Sequence, residues 1–162
     1  MNSKAIFLDS DGVLIDNSYH YYIWKTDHVK LIEGVIANLK LLSERAYHLF
    51  IVSNQGGIAR KLYSKSDAQQ IHSLLLNKFR ENGIHITDIN FCPHHHEIEN
   101  CLCRKPQPMM IEKLLAKYKI DPEYSYFIGD SESDMKAASK AGIKGIHIPP
   151  NQNMRPFIEQ LL

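Results

Sequence analysis

Five short apolar runs punctuate the chain at residues 5–8, 49–52, 86–91, 124–128 and 143–148, and each is followed by polar residues. Nearly continuous apolar character, without strict in-out alternation, marks strands buried on both faces. Helix-period segments lie between the runs. Val35, Ile36, Leu39, Leu42 and Ala46 share one helical face, and so do Ile71, Leu75 and Phe79, with Ser66 as the expected N-cap. Pro108 opens a third helix that carries Met110, Ile111, Leu114, Leu115 and Tyr118, and a fourth begins at Glu132 or Ser133 and ends near Gly142. Residues 149–153 read as a linker to a short terminal helix. This alternation predicts an α/β fold, a Rossmann-like three-layer αβα sandwich around a five-stranded parallel sheet with right-handed crossovers.

Composition narrows the picture. The chain has 162 residues, which predicts one domain spanning 1–162. Hydrophobic residues at 44% and charged residues at 23% are ordinary for a globular protein, which argues against disorder. No apolar run reaches the length of a membrane-spanning helix, so no membrane association is expected. A net charge of +1 gives no overall attraction to nucleic acid, so any anion must be held by a local arrangement. The start, Met1-Asn2-Ser3-Lys4, has no secretory apolar region, which points to a reducing, cytoplasmic compartment; a monomer is expected.

The polar residues after each strand supply the chemistry. The first strand ends in Asp9-Ser10-Asp11-Gly12, the second in Ser53-Asn54-Gln55-Gly56-Gly57, and the fourth in Gly129-Asp130-Ser131-Glu132-Ser133-Asp134. Ligands of open α/β sheets bind outside the carboxyl ends of the strands, so these segments should converge. Asp9 and Asp11 together with Asp130 form a hard oxygen site suited to Mg2+. Ser53 and the amides of Asn54, Gln55, Gly56 and Gly57 can donate hydrogen bonds to phosphate oxygens. Taken singly, an Asp-x-Asp is as often a turn and helix cap as a site; the order of the set carries the inference.

All three cysteines fall in the loop after the third strand, residues 92–105: Cys92-Pro93-His94 and Cys101-Leu102-Cys103-Arg104-Lys105. Cys92, His94, Cys101 and Cys103 make a Cys3His set of the kind that holds structural Zn2+. His95 and His96 are alternatives to His94. Three cysteines leave one unpaired, and disulfides suit an oxidising compartment, so metal is the better reading. Two cations follow the last ligand at once, as in a loop built to hold an anion.

With these segments in order, the chain resembles the haloacid dehalogenase superfamily of phosphatases from about residue 4 to residue 148. The carrying motifs are Asp9-x-Asp11-Gly12, Ser53-Asn54, Lys105 and Gly129-Asp130-x3-Asp134. The run Ser53-Asn54-Gln55-x-Gly57-Ile58-Ala59-Arg60 and the Cys-Pro-His…Cys-x-Cys-Arg-Lys-Pro loop resemble the branch of heptose 1,7-bisphosphate and histidinol-phosphate phosphatases. The resemblance implies Asp9 as nucleophile and Asp11 as acid and base. It also implies Mg2+ on Asp9, the Asp11 carbonyl and Asp130, with Ser53 and Lys105 on the phosphoryl group. Asp134 would orient Lys105 or a metal-bound water. Arg104 and Arg60 would meet the rest of a small phosphorylated metabolite, along with Asn17, Ser18, Tyr19 and His20 in the first loop. About twenty residues between the first strand and first helix leave no room for a cap domain.

The chain departs from the branch at Val13, where Thr is frequent, at Gly56, where Ser is frequent, and at Ser131, where Lys is common. The expected activity is Mg2+-dependent release of the 7-phosphate of a heptose 1,7-bisphosphate; the alternatives are histidinol phosphate and nucleic-acid 3′-phosphate ends. A zinc-stabilised module without turnover is disfavoured by the intact acids and lysine. Trp24, Tyr19, Tyr21 and Tyr22 make the first loop aromatic, either as a cover for the core or as a platform for a ring. His72 and the other scattered histidines read as core or surface residues.

Overall fold

In the computed structural model, which describes residues 3–162, five parallel strands form one sheet. They are β1 (Lys4–Leu8), β2 (Tyr47–Asn54), β3 (Asp88–Cys92), β4 (Tyr126–Gly129) and β5 (Lys144–His147), in the order β3-β2-β1-β4-β5. Met1 and Asn2, the start of the expected strand approach, lie outside the described residues. The helices are α1 (Val35–Glu44), α2 (Lys65–Glu81), α3 (Met109–Tyr118), α4 (Glu132–Lys140) and the short α5 (Arg155–Ile158).

Successive side chains of a strand point to opposite faces, and the two faces have separate cores. Ile6, Leu8, Leu49 and Ile51 pack on one side with Leu39, Leu42, Leu75, Phe79, Met154 and Ile158, so α1, α2 and α5 cover that face. Ala5, Phe7, Phe50 and Val52 pack on the other with Met110, Ile111, Leu114, Ala137 and Ala138 from α3 and α4. Burial on both faces is why the strands read as continuous apolar runs. The strand order reverses direction around β1, with β2 on one side and β4 on the other, so the crevice for a ligand opens at their carboxyl ends. Only residues 9–34 join β1 to α1, and they form no separate domain.

Several boundaries differ from the sequence reading. The N-cap of α2 is Ser64, not Ser66: the Ser64 hydroxyl accepts from the Asp67 amide at 3.1 Å and the Asp67 carboxylate accepts from the Ser64 amide at 2.7 Å. This capping box satisfies two donors that an exposed Ser66 inside the first turn cannot. Ala46 leaves the face of α1 because the helix ends at Glu44 and Ala46 turns with φ 61°. β4 starts at Tyr126 because Pro122–Tyr124 is a 3-10 turn capped by Asp121. Residues 149–153 do join β5 to the short α5, as expected, and they are pinned. The Asn151 amide donates to the Gly12 carbonyl at 2.8 Å, and Asn153 accepts from the Asn38 side chain at 2.8 Å.

Ser64→Ala should lower stability in chemical denaturation by about 1 kcal/mol, whereas Ser66→Ala should leave it nearly unchanged. His72 is buried in α2 with its ring 5.1 Å from that of Phe91. Burial pulls its pKa from 6.5 down to about 4. The unfolded chain therefore binds the extra proton: this contribution to stability is complete above pH 6.5 and declines as pH falls through about 4. His72→Leu should remove a pH-dependent loss on the order of 2–3 kcal/mol over that window, read from denaturation midpoints against wild type.

Candidate active site

Lys105 is the centre of the site. It is 2% exposed, and its ammonium donates to Asp9 Oδ1 at 2.9 Å and to the Val52 carbonyl at 2.9 Å. Asp134 Oδ1 lies 2.7 Å away on the other side. Asn54, at the end of β2, holds the lysine's backbone in both directions: its Oδ1 accepts from the Lys105 amide at 3.0 Å and its Nδ2 donates to the Lys105 carbonyl at 3.1 Å. The following peptide, Lys105–Pro106, is cis.

Each acid is placed by an element's end. Asp9 leaves β1 while its amide still donates to the Ile128 carbonyl of β4 at 3.1 Å. The chain then turns at Gly12, where φ is +84° and a Cβ would stand 2.2 Å from Asp130 Oδ2. Only glycine meets both demands. Asp134 caps α4, accepting from the Ser131 amide at 3.3 Å while Ser131 Oγ accepts from the Asp134 amide at 3.2 Å. The same carboxylate therefore finishes a helix and pairs the lysine.

Carboxylate oxygens of Asp9, Asp130 and Asp134 all lie within 4.8 Å of one another. The sequence reading put Asp11 in this set; among side chains it is Asp134 that joins the cluster. Burial, then Asp134 and Asp130, raise Asp9 well above the usual carboxylate range against the opposing pull of Lys105. Burial and Asp134 likewise raise Asp130. Asp11 is pushed up to about 7 by burial, with Asp130 adding and Lys105 opposing. Burial alone would lower Lys105, but Asp134 and Asp9 hold it above its ordinary value. Three carboxylates facing one ammonium leave excess negative charge in a buried place, and a hard divalent cation with oxygen ligands fits that deficit.

Beside this cluster is the cysteine loop. Cys92 ends β3, and His94 Nδ1 lies 3.3 Å from Cys92 Sγ and 3.2 Å from Cys103 Sγ. The sulfurs of Cys103 and Cys101 are 3.0 and 3.7 Å from that of Cys92. All four ligand atoms fit within 4.8 Å. Tetrahedral zinc with Zn–S bonds of ~2.3 Å has edges of roughly 3.8 Å, so the set fits that ion after slight expansion. His94 is the histidine in the cluster; His95 is buried with Nδ1 accepting from the Glu97 amide at 3.2 Å, and His96 is exposed. The loop also holds Arg104, whose amide donates to Cys101 Sγ at 3.4 Å and whose guanidinium donates to the His94 carbonyl at 3.1 Å.

A cavity of about 270 Å3 opens over these groups. Of the residues expected from sequence, Asp9, Asp11, Asn17, Ser53, Asn54, Gly56, Arg104, Lys105 and Asp130 line it. Ser18, Tyr19, His20, Gln55 and Arg60 do not. Ser18 turns back to bond Asp16, Tyr19 is 86% exposed, and His20 stacks on His28 with ring centroids 3.6 Å apart. Arg60 is paired with Glu97 at 2.6 Å, and Gln55 is buried beneath Ser53. Tyr21 and Tyr22, read from sequence as either a core cover or a ring platform, line the cavity, and so do His95, Ser131 and Ser133, which were not singled out as substrate contacts. The aromatic first loop and the histidine triplet were the available signals, but neither says which neighbour turns inward. Asn17 is steered by its amide, which donates to Asn151 Oδ1 at 3.0 Å across 134 residues.

Comparison with known proteins agrees with this geometry. The model of the haloacid dehalogenase-like hydrolases matches residues 10–148. The chain is 35% identical over 164 residues to the D-glycero-beta-D-manno-heptose-1,7-bisphosphate 7-phosphatase of Rhodopseudomonas palustris, covering 98% of this chain and 89% of that one. It is 33% identical over 145 residues to the histidine biosynthesis bifunctional protein HisB of Legionella pneumophila, covering 90% of this chain but 41% of the longer protein. The crystal structure of the D,D-heptose 1,7-bisphosphate phosphatase of B. bronchiseptica, complexed with magnesium and phosphate, superposes with a TM-score of 0.84 at 27% identity. That match covers 98% of this chain and 86% of that one. Similarity that runs through nearly the whole chain makes the protein a phosphatase belonging to the haloacid dehalogenase-like hydrolase family.

Proposed function

We propose that the protein is a Mg2+-dependent phosphomonoesterase that removes the 7-phosphate of a D-glycero-D-manno-heptose 1,7-bisphosphate through an aspartyl-phosphate on Asp9. The observation that carries this reading is the buried ammonium of Lys105 held between Asp9 and Asp134 at the floor of the cavity. It keeps a carboxylate oriented at the strand end while presenting positive charge to an incoming phosphoryl group. The heptose phosphatases that match along almost the whole chain supply the substrate class.

In the first step an Asp9 oxygen bonds to phosphorus and the bond from phosphorus to the sugar oxygen breaks. Asp11, whose raised pKa of about 7 keeps much of it protonated near neutrality, gives its proton to that oxygen. In the second step a water attacks the phosphorus of the aspartyl-phosphate and its proton returns to Asp11. Phosphate leaves and both acids are restored. Ser53 and Lys105 donate to the equatorial oxygens, on which charge is spread. Asp9, the Asp11 carbonyl and Asp130 would hold Mg2+, which supplies charge neutralisation at the phosphoryl oxygens when bound. Zn2+ on Cys92, His94, Cys101 and Cys103 would order the loop that carries Arg104.

Arg104 and His95, both on the cavity wall, are the partners available to the second phosphate of a bisphosphate. The same wall with Tyr21 and Tyr22 also suits an imidazole ring, which makes histidinol phosphate the second reading. Nucleic-acid ends come last, because a chain of net charge +1 provides no extended basic track.

Heptose 1,7-bisphosphate should give a kcat/KM at least about tenfold above that for histidinol phosphate, and a 3′-phosphorylated oligonucleotide should release no phosphate. Equally feeble rates on the first two would remove both assignments. Asp9→Asn should lower kcat by about 10³-fold or more in a phosphate-release assay with Mg2+; wild-type turnover in that variant would refute Asp9 as nucleophile. Chelation of zinc, or Cys103→Ser, should raise KM about tenfold through loss of ordered Arg104 while leaving the Mg2+ dependence of kcat unchanged. Loss of Mg2+ binding with an unchanged KM would contradict this division between the two metals.

A further inference from the structure

Behind the cavity wall is a row of buried polar groups that the reaction itself does not use. Tyr63 is 6% exposed and Gln55 4% exposed, although both carry groups that must be hydrogen-bonded when buried. Tyr63 Oη donates to Gln55 Oε1 at 2.6 Å, and Gln55 Nε2 donates to Ser53 Oγ at 2.8 Å. At the far end, the backbone amide of Gly57 favours the charged form of the Tyr63 oxygen, against the larger effect of burial. The row thus runs from a phenol, through a carboxamide, to the hydroxyl that faces the phosphoryl position.

The direction of such a row is decided at its ends. A phenol has a single proton, and that of Tyr63 goes to Gln55 Oε1. Gln55 then has its carbonyl occupied and must turn its NH2 to Ser53. Ser53 Oγ receives that hydrogen bond, which leaves its proton to point elsewhere, into the cavity that the residue lines. With the amide reversed, Gln55 would offer Ser53 a carbonyl. The serine would then donate to protein and have no proton for a phosphoryl oxygen.

The fold shows that Tyr63 has been given room for this position. A Cβ at Gly57 would stand 2.2 Å from the Tyr63 ring, so glycine there admits it. The ring lies parallel to Trp24, with centroids 6.3 Å apart and 5° between planes, and 5.9 Å from Tyr22. Two aromatic residues of the first loop therefore clamp the phenol in place.

We infer that Tyr63, acting through Gln55, is a positioning residue that sets the hydrogen-bond polarity of Ser53, so that the serine donates to the transferring phosphoryl group. This inference rests on the reading of Ser53 as a phosphoryl-oxygen donor. It also explains why Gln55 is packed under the site rather than within it.

The test is a double-mutant cycle with p-nitrophenyl phosphate and Mg2+, in which kcat and KM are measured for wild type, Tyr63→Phe, Ser53→Ala and the pair. Tyr63→Phe keeps the ring and removes only the hydroxyl. It should lower kcat about 5- to 20-fold with KM changed less than about twofold, because the lost bond is made in the transition state. In the Ser53→Ala background the same substitution should change kcat less than about twofold, since no serine proton remains to be aimed. Gln55→Met, which keeps the bulk and removes both bonds, should reproduce the Tyr63→Phe loss and should likewise fall silent beside Ser53→Ala. An equal loss in both backgrounds would mean that Tyr63 is only structural, and no loss in Tyr63→Phe would overturn the inference outright. If Ser53→Ala itself left kcat intact, the donor reading of Ser53 would fail and the inference with it. A slow Ser53→Ala beside a normal Tyr63→Phe would sink the inference alone.

Discussion

The burial of the Lys105 ammonium is the constraint on which the rest of the site depends. An unpaired charge in that position would cost several kcal/mol, so it must be surrounded by acceptors. Asp9, Asp134 and the Val52 carbonyl supply them from the ends of β1 and β2 and the start of α4. Four parts of the chain are thereby tied to one nitrogen: two strand ends, a helix cap and the loop after β3. Asn54 grips the lysine's backbone as well, so the position is set by main chain and side chain together.

The same arrangement creates a charge imbalance. One ammonium does not neutralise Asp9, Asp130 and Asp134, and burial together with the neighbouring carboxylates raises the affinity of Asp9 and Asp130 for protons. A site with that deficit is prepared for a cation and, through the cation, for a phosphate. The price of concentrating acids at strand ends is thus also the origin of binding. A second, chemically separate cluster lies in the loop after β3, where soft sulfur and imidazole groups stand apart from the hard carboxylate oxygens. That loop carries Arg104 and His95 to the cavity wall in a fold without a cap domain.

Behind these groups lies a layer of amides and hydroxyls with hydrogen bonds of its own. Asn54 holds Lys105, Asn151 steers Asn17, and Gln55 with Tyr63 supports Ser53. These side chains set orientation rather than charge. Polar groups buried together are stable only when each donor finds an acceptor, and that requirement transmits direction along the row.

The alternation of apolar runs with helical periods was sufficient to read five parallel strands, four helices and the αβα layering, because burial on both faces leaves a strong local signature. The residues after the strands were legible for the same reason: a parallel sheet brings its carboxyl ends to one edge whatever the details of the loops. The Cys3His spacing marked the second cluster, but not which histidine enters it. Tertiary structure decided that, along with the place of Asp134 in the carboxylate cluster, the retreat of Gln55 and Arg60 from the cavity, and the entry of Tyr21, Tyr22 and His95. It also moved the α2 cap to Ser64 and made residues 149–153 a brace through Asn151. Those outcomes depend on partners dozens of residues away, Glu97 for Arg60, Tyr63 for Gln55 and Lys105 for Asp134, and on the rotation of each loop residue. Periodicity records which face of an element is buried; it carries no record of which distant group a polar side chain will meet.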